Sequence, residues 1–435
     1  MEVVQNSLSL FVPPPVDNSI EKEYWVEFNP IAAITDAGVI EFNIPGTSTD
    51  YVNLSKTKLH IKYVITKENG DVISAVKDQS GNYLDEVAPT NFTLHSIFRQ
   101  VDVSFNQRVI SPDVGVNYPY KALIDILLNS SSDMIHSQGQ AANFYKDAAG
   151  ETAMEDMKYN GLNTSYAARA TPTMNGGTAS IEGCLYVDLG LDKKRAILNG
   201  VALNFKFFQS NDDFRLMSAR DEKYKLKITD AVLKVCHVSL NPAMVVAHNE
   251  ALDISPAVYP FWRSDIKTFS VAQGSHTFMV DNIFHGEVPS KIIVGMVSNS
   301  AYSGDYKKNP FNFKNMDLNY LEINVDGQPV PNRPFKPNFD TKDFSASFLS
   351  LLDNEFARKK GIIIRYNDFP GGYALYLFDI QSFLSGSVMS KSPKGHVRLS
   401  ARFAKALPET INIIVYAKFP EIMKIDKTRS ITVST

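Results

Sequence analysis

The chain has 435 residues, 44% of them apolar and 21% charged, an ordinary globular composition. Single cores stop growing at roughly 250–300 residues, so two domains are expected. With 44 basic and 47 acidic residues interspersed along the chain, the net charge of −3 supplies no field to condense on nucleic acid or an anionic membrane. Neither sequence-specific nucleic-acid binding, genome packaging by a basic arm, nor membrane insertion is therefore expected. The 27 Phe and 19 Tyr tilt the reading toward strands, because aromatic rings favour pleated, half-buried surfaces.

The opening MEVVQNSLSLFVPPP has no basic region followed by a long apolar run, so it does not read as a signal peptide, and no run of about 18 apolar residues suggests a membrane span. Leu8, Leu10 and Val12 alternate before three prolines that hold the backbone extended. Residues 1–18 thus read as an arm. Its Leu10, Phe11, Val12, Pro13, Pro14 and Pro15 are the candidate inter-subunit contact, since a free monomer rarely leaves such a stretch in water.

Strand patterning begins near Glu23. Ile40, Phe42 and Ile44 share one face of IEFNIPG, and Leu59, Ile61, Tyr63 and Ile65 share one face of TKLHIKYVIT. KENGDVISAVKDQSGNYLDE carries turn signals at Asn69-Gly70 and Ser80-Gly81-Asn82 and reads as a hairpin or long loop. Val101, Val103 and Phe105 continue at period two. YKALIDILLN then shifts to helical spacing, with Leu123, Ile124, Leu127 and Leu128 as an apolar stripe and Pro119 in the first turn. Residues 130–180 have no sustained period and read as a surface excursion. Strands resume at GCLYVDLGL, NGVALNFKFF and YKLKITDAVLKVCHVSL.

After NPAMVVAHNEALD the pattern starts again. IKTFSV is a strand, and KIIVGMVSN matches residues 57–66 in position and character. LEINVDGQPV overlays VDVSFNQRVI without a gap, setting Leu321 on Val101, Ile323 on Val103, Val325 on Phe105, and the turn Asp326-Gly327 on Asn106-Gln107. A second helix is predicted in TKDFSASFLSLLDNEFARK, with Phe344, Phe348, Leu351 and Leu352 as its stripe and Thr341 or Asp343 as its cap. GHVRLSARF and INIIVYAKF parallel 199–208 and 224–238. The expected fold is all-β: two tandem eight-stranded antiparallel jelly rolls, a double jelly roll with a few short helices. The expected divisions are an arm 1–18, a first jelly roll 19–240 with its insert 130–180, a second jelly roll 241–425, and a tail 426–435.

LSLFVPPPVDNSIEKEYWVEFNP and HGEVPSKIIVGMVSNSAYSGDYKKNPFNFKNMDLNYLEINVDGQPVPNRPFKPNF together resemble the double jelly-roll major capsid protein of Polinton/Maverick elements and adintoviruses, across essentially the whole chain. The most specific part is the block from NPFNF to LEINVDGQ. The resemblance implies a homotrimer that forms a pseudo-hexagonal capsomer, contacts with neighbouring capsomers, an icosahedral shell completed by a penton (minor capsid) protein, and residence in the virion after synthesis in the host cytoplasm or nucleus. It implies neither a catalytic residue nor a cofactor; residues 130–180 depart from the family's pattern, and their expected placement is an outward-facing tower.

Other chemistry is weakly signalled. His60, His95, His136, His237, His248, His276, His285 and His396 form no H-x-H or H-E-x-x-H set, as a metal-dependent cupin would require. Cys184 and Cys236, far apart in apolar stretches, read as two buried free thiols made in a reducing compartment. Sequons at Asn53, Asn91, Asn129 and Asn163 matter only in a secreted protein. No G-x-S-x-G nucleophile motif occurs, and Gly176-Gly177 and Gly371-Gly372 do not extend into a phosphate loop. Phe311 and Phe313 in KKNPFNFKN read as loop anchors rather than base-stacking rings. The rival readings are a jelly-roll glycoside hydrolase, for which Asp188, Asp192, Glu322 and Asp326 are available carboxylates, and a carbohydrate-binding module, for which Trp25 and Trp262 are few.

Overall fold

The computed structural model describes residues 18–77, 79, 83–111, 116–188, 195–353, 355–380 and 394–434. The first sandwich is built from β1 (Ile20–Phe28), β2 (Val39–Ile44), β3 (Tyr51–Lys67), β4 (Phe98–Phe105), β5 (Arg108–Ser111), β6 (Ala179–Cys184), β7 (Leu203–Gln209) and β8 (Tyr224–Leu240). The second is built from β9 (Ala257–Val271), β10 (Thr277–Val280), β11 (Lys291–Ser298), β12 (Leu318–Val325), β13 (Gln328–Phe335), β14 (Leu375–Asp379), β15 (Val397–Phe403) and β16 (Ile411–Ile425).

The first eight strands pair as β1-β8-β3-β6 and β2-β7-β4-β5; the second eight pair as β9-β16-β11-β14 and β10-β15-β12-β13. Every one of these ladders is antiparallel. The first strand of each set lies beside the last and the second beside the next to last, which is the wrap of a jelly roll. Each strand of the second sandwich holds the place of the strand eight earlier, so the double jelly roll expected from the sequence is the fold observed. A further strand, β17 (Ile431–Ser434), pairs with β16.

Period-two patterning places the core as the sequence indicates. Ile40, Phe42, Ile44, Leu59, Ile61, Tyr63, Ile65, Val101, Val103 and Phe105 are all buried, each large apolar side chain contributing about 1.5–3 kcal/mol. One apolar cluster runs continuously through both sandwiches. The overlaid turns are matched in backbone as well: φ is +43° at Asn106 and +71° at Gln107, +49° at Asp326 and +87° at Gly327. With Phe105 paired to Arg108 and Val325 to Gln328, both are two-residue hairpins of the type that needs positive φ at each central position.

The helices depart from expectation. α1 (Tyr118–Asn129) is buried from Tyr118 through Leu128, including Lys121 and Asp125, rather than showing one apolar stripe. It is enclosed between the sandwiches, and its charged residues find partners there. NPAMVVAHNEALD, read only as the point of restart, forms α2 (Pro242–Ile254), capped by the Asn241 side chain accepting from Ala243 N at 3.0 Å. Only Leu252 of α2 is buried, so no wide apolar stripe marks it, although Asn-Pro is a helix-start signal.

The second predicted helix is broken into α3 (Ser345–Ser350), a 3-10 turn Leu351–Asp353 and a helix Glu355–Lys360. Neither Thr341 nor Asp343 caps it: the flanking residue is Phe344, without a side-chain cap, and Asp343 exchanges backbone hydrogen bonds with Asn338. Phe344, Phe348 and Leu351 are buried, while Leu352 is only partly so.

Residues 130–180 are not a surface excursion. They form short helices that bury Ile135, Phe144, Met154, Met157, Tyr159 and Tyr166, part of them in a small second cluster with Ala88 and Met217. The strand expected over 183–191 lies earlier, at β6, because Ala179 and Ile181 carry the alternation; Leu185 and Val187 are buried outside any strand, and 189–191 fall outside the described residues. Cys236 is buried and free, whereas Cys184, at the end of β6, is exposed. The loop after β3 makes isolated bridges Thr66 to Val72 and Lys77 to Tyr83. Its expected turn at 80–82 lies outside the described residues.

Candidate assembly surfaces and the joint between the sandwiches

α1 belongs to the first sandwich but packs on the second. Tyr120 stacks on Tyr302 (ring centroids 5.6 Å apart) and meets Phe311 and Phe313 edge-on at 5.6 and 6.3 Å; its hydroxyl donates to the Pro310 carbonyl at 3.0 Å. Phe311 and Phe313 are buried as anchors, in this aromatic knot between the two sandwiches. The next residue, Lys121, pairs with Asp188, which accepts from Ser264 Oγ at 2.8 Å and Ser264 N at 3.2 Å on β9. Asp125 accepts from Tyr416 Oη at 3.1 Å and from Lys418 Nζ at 2.7 Å on β16. Burial, reinforced by the Asp125 carboxylate, holds the Tyr416 hydroxyl far above the ordinary tyrosine range, so it remains a donor.

A second polar hub is Asp147. Its Oδ1 accepts from Arg169 Nη1 at 2.7 Å and Asn163 at 2.9 Å, its Oδ2 accepts from Asn309 at 3.2 Å and Asn91 at 3.3 Å, and its carbonyl accepts from Tyr373 Oη at 2.7 Å. Arg169 is fully buried, so this carboxylate is what makes its burial tolerable. Asn309 and Tyr373 come from the second sandwich. Gly371-Gly372 serves the same joint: a Cβ on Gly371 would lie 2.6 Å from Gly150 N, and one on Gly372, at φ +99°, would lie 1.9 Å from Met154 Sδ. The pair permits backbone contact across the joint.

Residues beyond β16 close the joint at its far end. Asn106 Nδ2 donates to the Arg429 carbonyl at 2.8 Å, Arg108 Nη1 to the Ile431 carbonyl at 2.7 Å, and Arg429 Nε to the Asn199 carbonyl at 2.7 Å. Within the second sandwich, Glu409 accepts from Lys308 at 2.7 Å, Ser298 at 2.8 Å and Lys314 at 3.0 Å. Partial burial opposes its charge, but these donors outweigh it and hold the carboxyl down at about 2.

The joint makes two equivalent sheets unlike. In the second sandwich every residue from Ile292 to Ser298 of β11 and from Ile411 to Ala417 of β16 is buried, so both faces are covered. In the first, β3 alternates buried Leu59, Ile61 and Tyr63 with part-exposed Lys58 and His60 and exposed Lys62, and β8 alternates in the same way from Ala231 to Val235 before Cys236, His237 and Val238, all buried. The outer face of this sheet is open. At its edge, β1 presents Glu21, Glu23, Trp25 and Glu27 to solvent, with Trp25 49% exposed.

The candidate contact residues Leu10, Phe11, Val12, Pro13, Pro14 and Pro15 lie outside the described residues, as does Asp192. Asp188 is committed to Lys121 and Ser264, Glu322 lies on β12, and Asp326 accepts from His396 N at 2.7 Å in the hairpin turn. Of the sequon asparagines, Asn91 and Asn163 are buried in the Asp147 hub. Among the described residues no group of three His, Cys, Asp or Glu side chains is placed to hold a metal, and no helix is long and apolar enough to cross a membrane. Sequence reasoning missed Asp125, Asp147 and Arg169; charged residues inside otherwise apolar or helical stretches were their only signal.

No protein-family model matches the chain. Among curated proteins it is similar to the uncharacterized protein F54H12.2 of Caenorhabditis elegans, 23% identical over 436 residues, covering 96% of this chain and 98% of that one. Among solved structures it is similar to a chain of the Sputnik virophage at TM-score 0.66 and 12% identity, covering 100% of this chain and 92% of that one. The Faustovirus major capsid protein superposes at TM-score 0.62 with 8% identity, covering 95% and 92%, and the mavirus major capsid protein at 0.54 with 11% identity, covering 100% and 95%. Over its whole length the chain thus has the double jelly-roll fold of these viral major capsid proteins.

Proposed function

We propose that this chain is a capsid building block: the major capsid protein of a Polinton/Maverick- or adintovirus-like element, which trimerises into pseudo-hexameric capsomers that tile an icosahedral virion shell. The observation that carries this reading is the repetition of one strand order in both sandwiches of a chain whose full length follows viral major capsid proteins. Two near-equivalent units fused in tandem let three chains present six similar edges, so a threefold ring fits a hexagonal lattice. Activity then lies in shape and contact rather than turnover, with no cofactor. A penton protein would fill the fivefold positions. The arm residues Leu10 to Pro15 would cover apolar surface on a neighbouring capsomer, ahead of jelly rolls at 19–240 and 241–425.

Sedimentation and electron microscopy of the concentrated protein test this. Trimers and hexagonal blocks or shells are expected. A strictly monomeric protein at high concentration would overturn the reading, and glycan-array binding by that monomer would favour a carbohydrate-binding module instead.

A further inference from the structure

Lys121 and Asp188 bring an amine and a carboxyl carbon together where water does not reach. Their side chains are 2% and 1% exposed, and the Lys121 Nζ lies in contact with Asp188 Oδ1. Lys418 and Lys67, whose carboxylate partners are also buried, keep 23% and 28% of their exposure and stay in touch with water. The buried cation of the Asp147 hub is a guanidinium, which holds its proton and is no nucleophile. The two oxygens of Asp188 are held differently. Oδ1 touches Lys121 and accepts from Ser264 Oγ at 2.8 Å, while Oδ2 accepts from Ser264 N at 3.2 Å. Ser264 Oγ meets Tyr416 Oη at 3.2 Å, and Asp125 accepts from that hydroxyl in turn, so the donors around Asp188 are fixed in place.

We propose that Lys121 and Asp188 join covalently, Nζ to Cγ, in an isopeptide bond that forms inside the folded chain. The ion pair is the reactant, and the bond goes beyond the capsid-subunit reading without depending on it. A proton passes from Nζ to Oδ1 across the contact, leaving a neutral amine beside a carboxylic acid. The nitrogen lone pair then attacks Cγ, and the negative charge that develops on Oδ2 is met by the Ser264 N–H. A second proton from the nitrogen goes to Oδ1, which Ser264 Oγ holds by its hydrogen bond, and the Cγ–Oδ1 bond breaks to release one water. Oδ2 remains as the amide oxygen, so ammonium and carboxylate give amide and water with no other reactant. In bulk water the hydration of both ions opposes this step. Here burial has already removed that hydration, and atoms held in contact react as if at about 10⁵–10⁸ M. The bond ties α1 to the segment after β6, 67 positions away, and encloses all of 130–180 in a covalent loop. A loop closed in this way restricts the unfolded chain and keeps α1 in the joint.

The experiment is mass spectrometry of the full chain, purified folded and then denatured. The wild type is expected to weigh less than its sequence by one water, and its protease digest to contain a branched peptide joining the segment of Lys121 to that of Asp188. Asp188→Asn is expected to give the same branched peptide with loss of ammonia instead of water, and Lys121→Arg, which keeps the charge, to retain its full mass. A folded wild type of full mass, after storage as well as when fresh, would overturn the proposal. So would a lost water that maps to a linear peptide or to other residues, or its persistence in Lys121→Arg. The wild-type mass and digest decide the matter even where a variant does not fold, and neither result bears on whether the chain assembles into capsomers.

Discussion

Lys418 Nζ on β16 lies 2.7 Å from Asp125 Oδ1 on α1, joining residues 293 positions apart in the chain. Asp125 is buried, and Lys418 keeps 23% of its side-chain exposure. Removing the carboxylate takes the counter-ion from a partly buried ammonium and leaves the Tyr416 hydroxyl with Ser264 Oγ, at 3.2 Å, as its remaining partner. Asp125→Leu is expected to destabilise by about 2–4 kcal/mol, somewhat below the cost of breaking a fully buried pair. The double variant with Lys418→Met should regain most of that loss in urea unfolding, because replacing both ions by apolar groups is far less costly than removing one.

Tyr120→Phe tests the aromatic knot without disturbing its rings. The Pro310 carbonyl loses its donor in a buried setting, so a loss of about 1–2 kcal/mol is expected in the unfolding midpoint. Tyr120→Ala, which also empties the ring's place among Tyr302, Phe311 and Phe313, should cost about 3–5 kcal/mol.

Acid sensitivity has two sources separated in pH. Burial drives His95 from an ordinary 6.5 down to about 3, and its ring bonds the Tyr118 hydroxyl at 2.9 Å. Its neutral form is the folded form, so its contribution is complete above about pH 6.5 and is lost progressively as pH falls toward 3. Glu409, lowered from 4.5 to about 2, contributes fully above about pH 4.5 and loses that contribution as pH falls toward 2. Unfolding midpoints measured from pH 7 to pH 2.5 should show a flatter upper slope for His95→Gln and a flatter lower slope for Glu409→Gln.

The twin hairpins predict an asymmetric response. Gln107 occupies the positive-φ position that Gly327 fills in the other sandwich. Gln107→Gly should stabilise by about 0.5–1 kcal/mol, while Gly327→Ala should destabilise by a similar or larger amount, both read from thermal melts.

The fold was legible because its signals are local and repeated. Ile40, Phe42 and Ile44, or Val101, Val103 and Phe105, announce a half-buried strand, and the overlay of Asn106-Gln107 on Asp326-Gly327 announces the duplication. The double-sided burial of β11 and β16 goes with the stretches IIVGMV and IIVYA, whose apolar residues do not alternate with polar ones. What stayed hidden depends on tertiary partners. Nothing near Asp125 names Lys418, and nothing near Asp147 names Asn309, so α1 read as amphipathic and 130–180 as surface. Local periodicity reports whether a face is covered, whereas the identity of its cover lies elsewhere in the chain.

The enclosed sheet of the second sandwich gives the tandem fusion a direction. Cut free of its neighbour, that sandwich would bare Ile293, Ile414 and Tyr416 on its outer face to water, and would aggregate where the first stays wettable. The descendants of the duplication have become complementary rather than interchangeable: one needs a sheath and the other is the sheath. Division of the gene between them would yield no pair of independent proteins, so what began as copying now behaves as a ratchet.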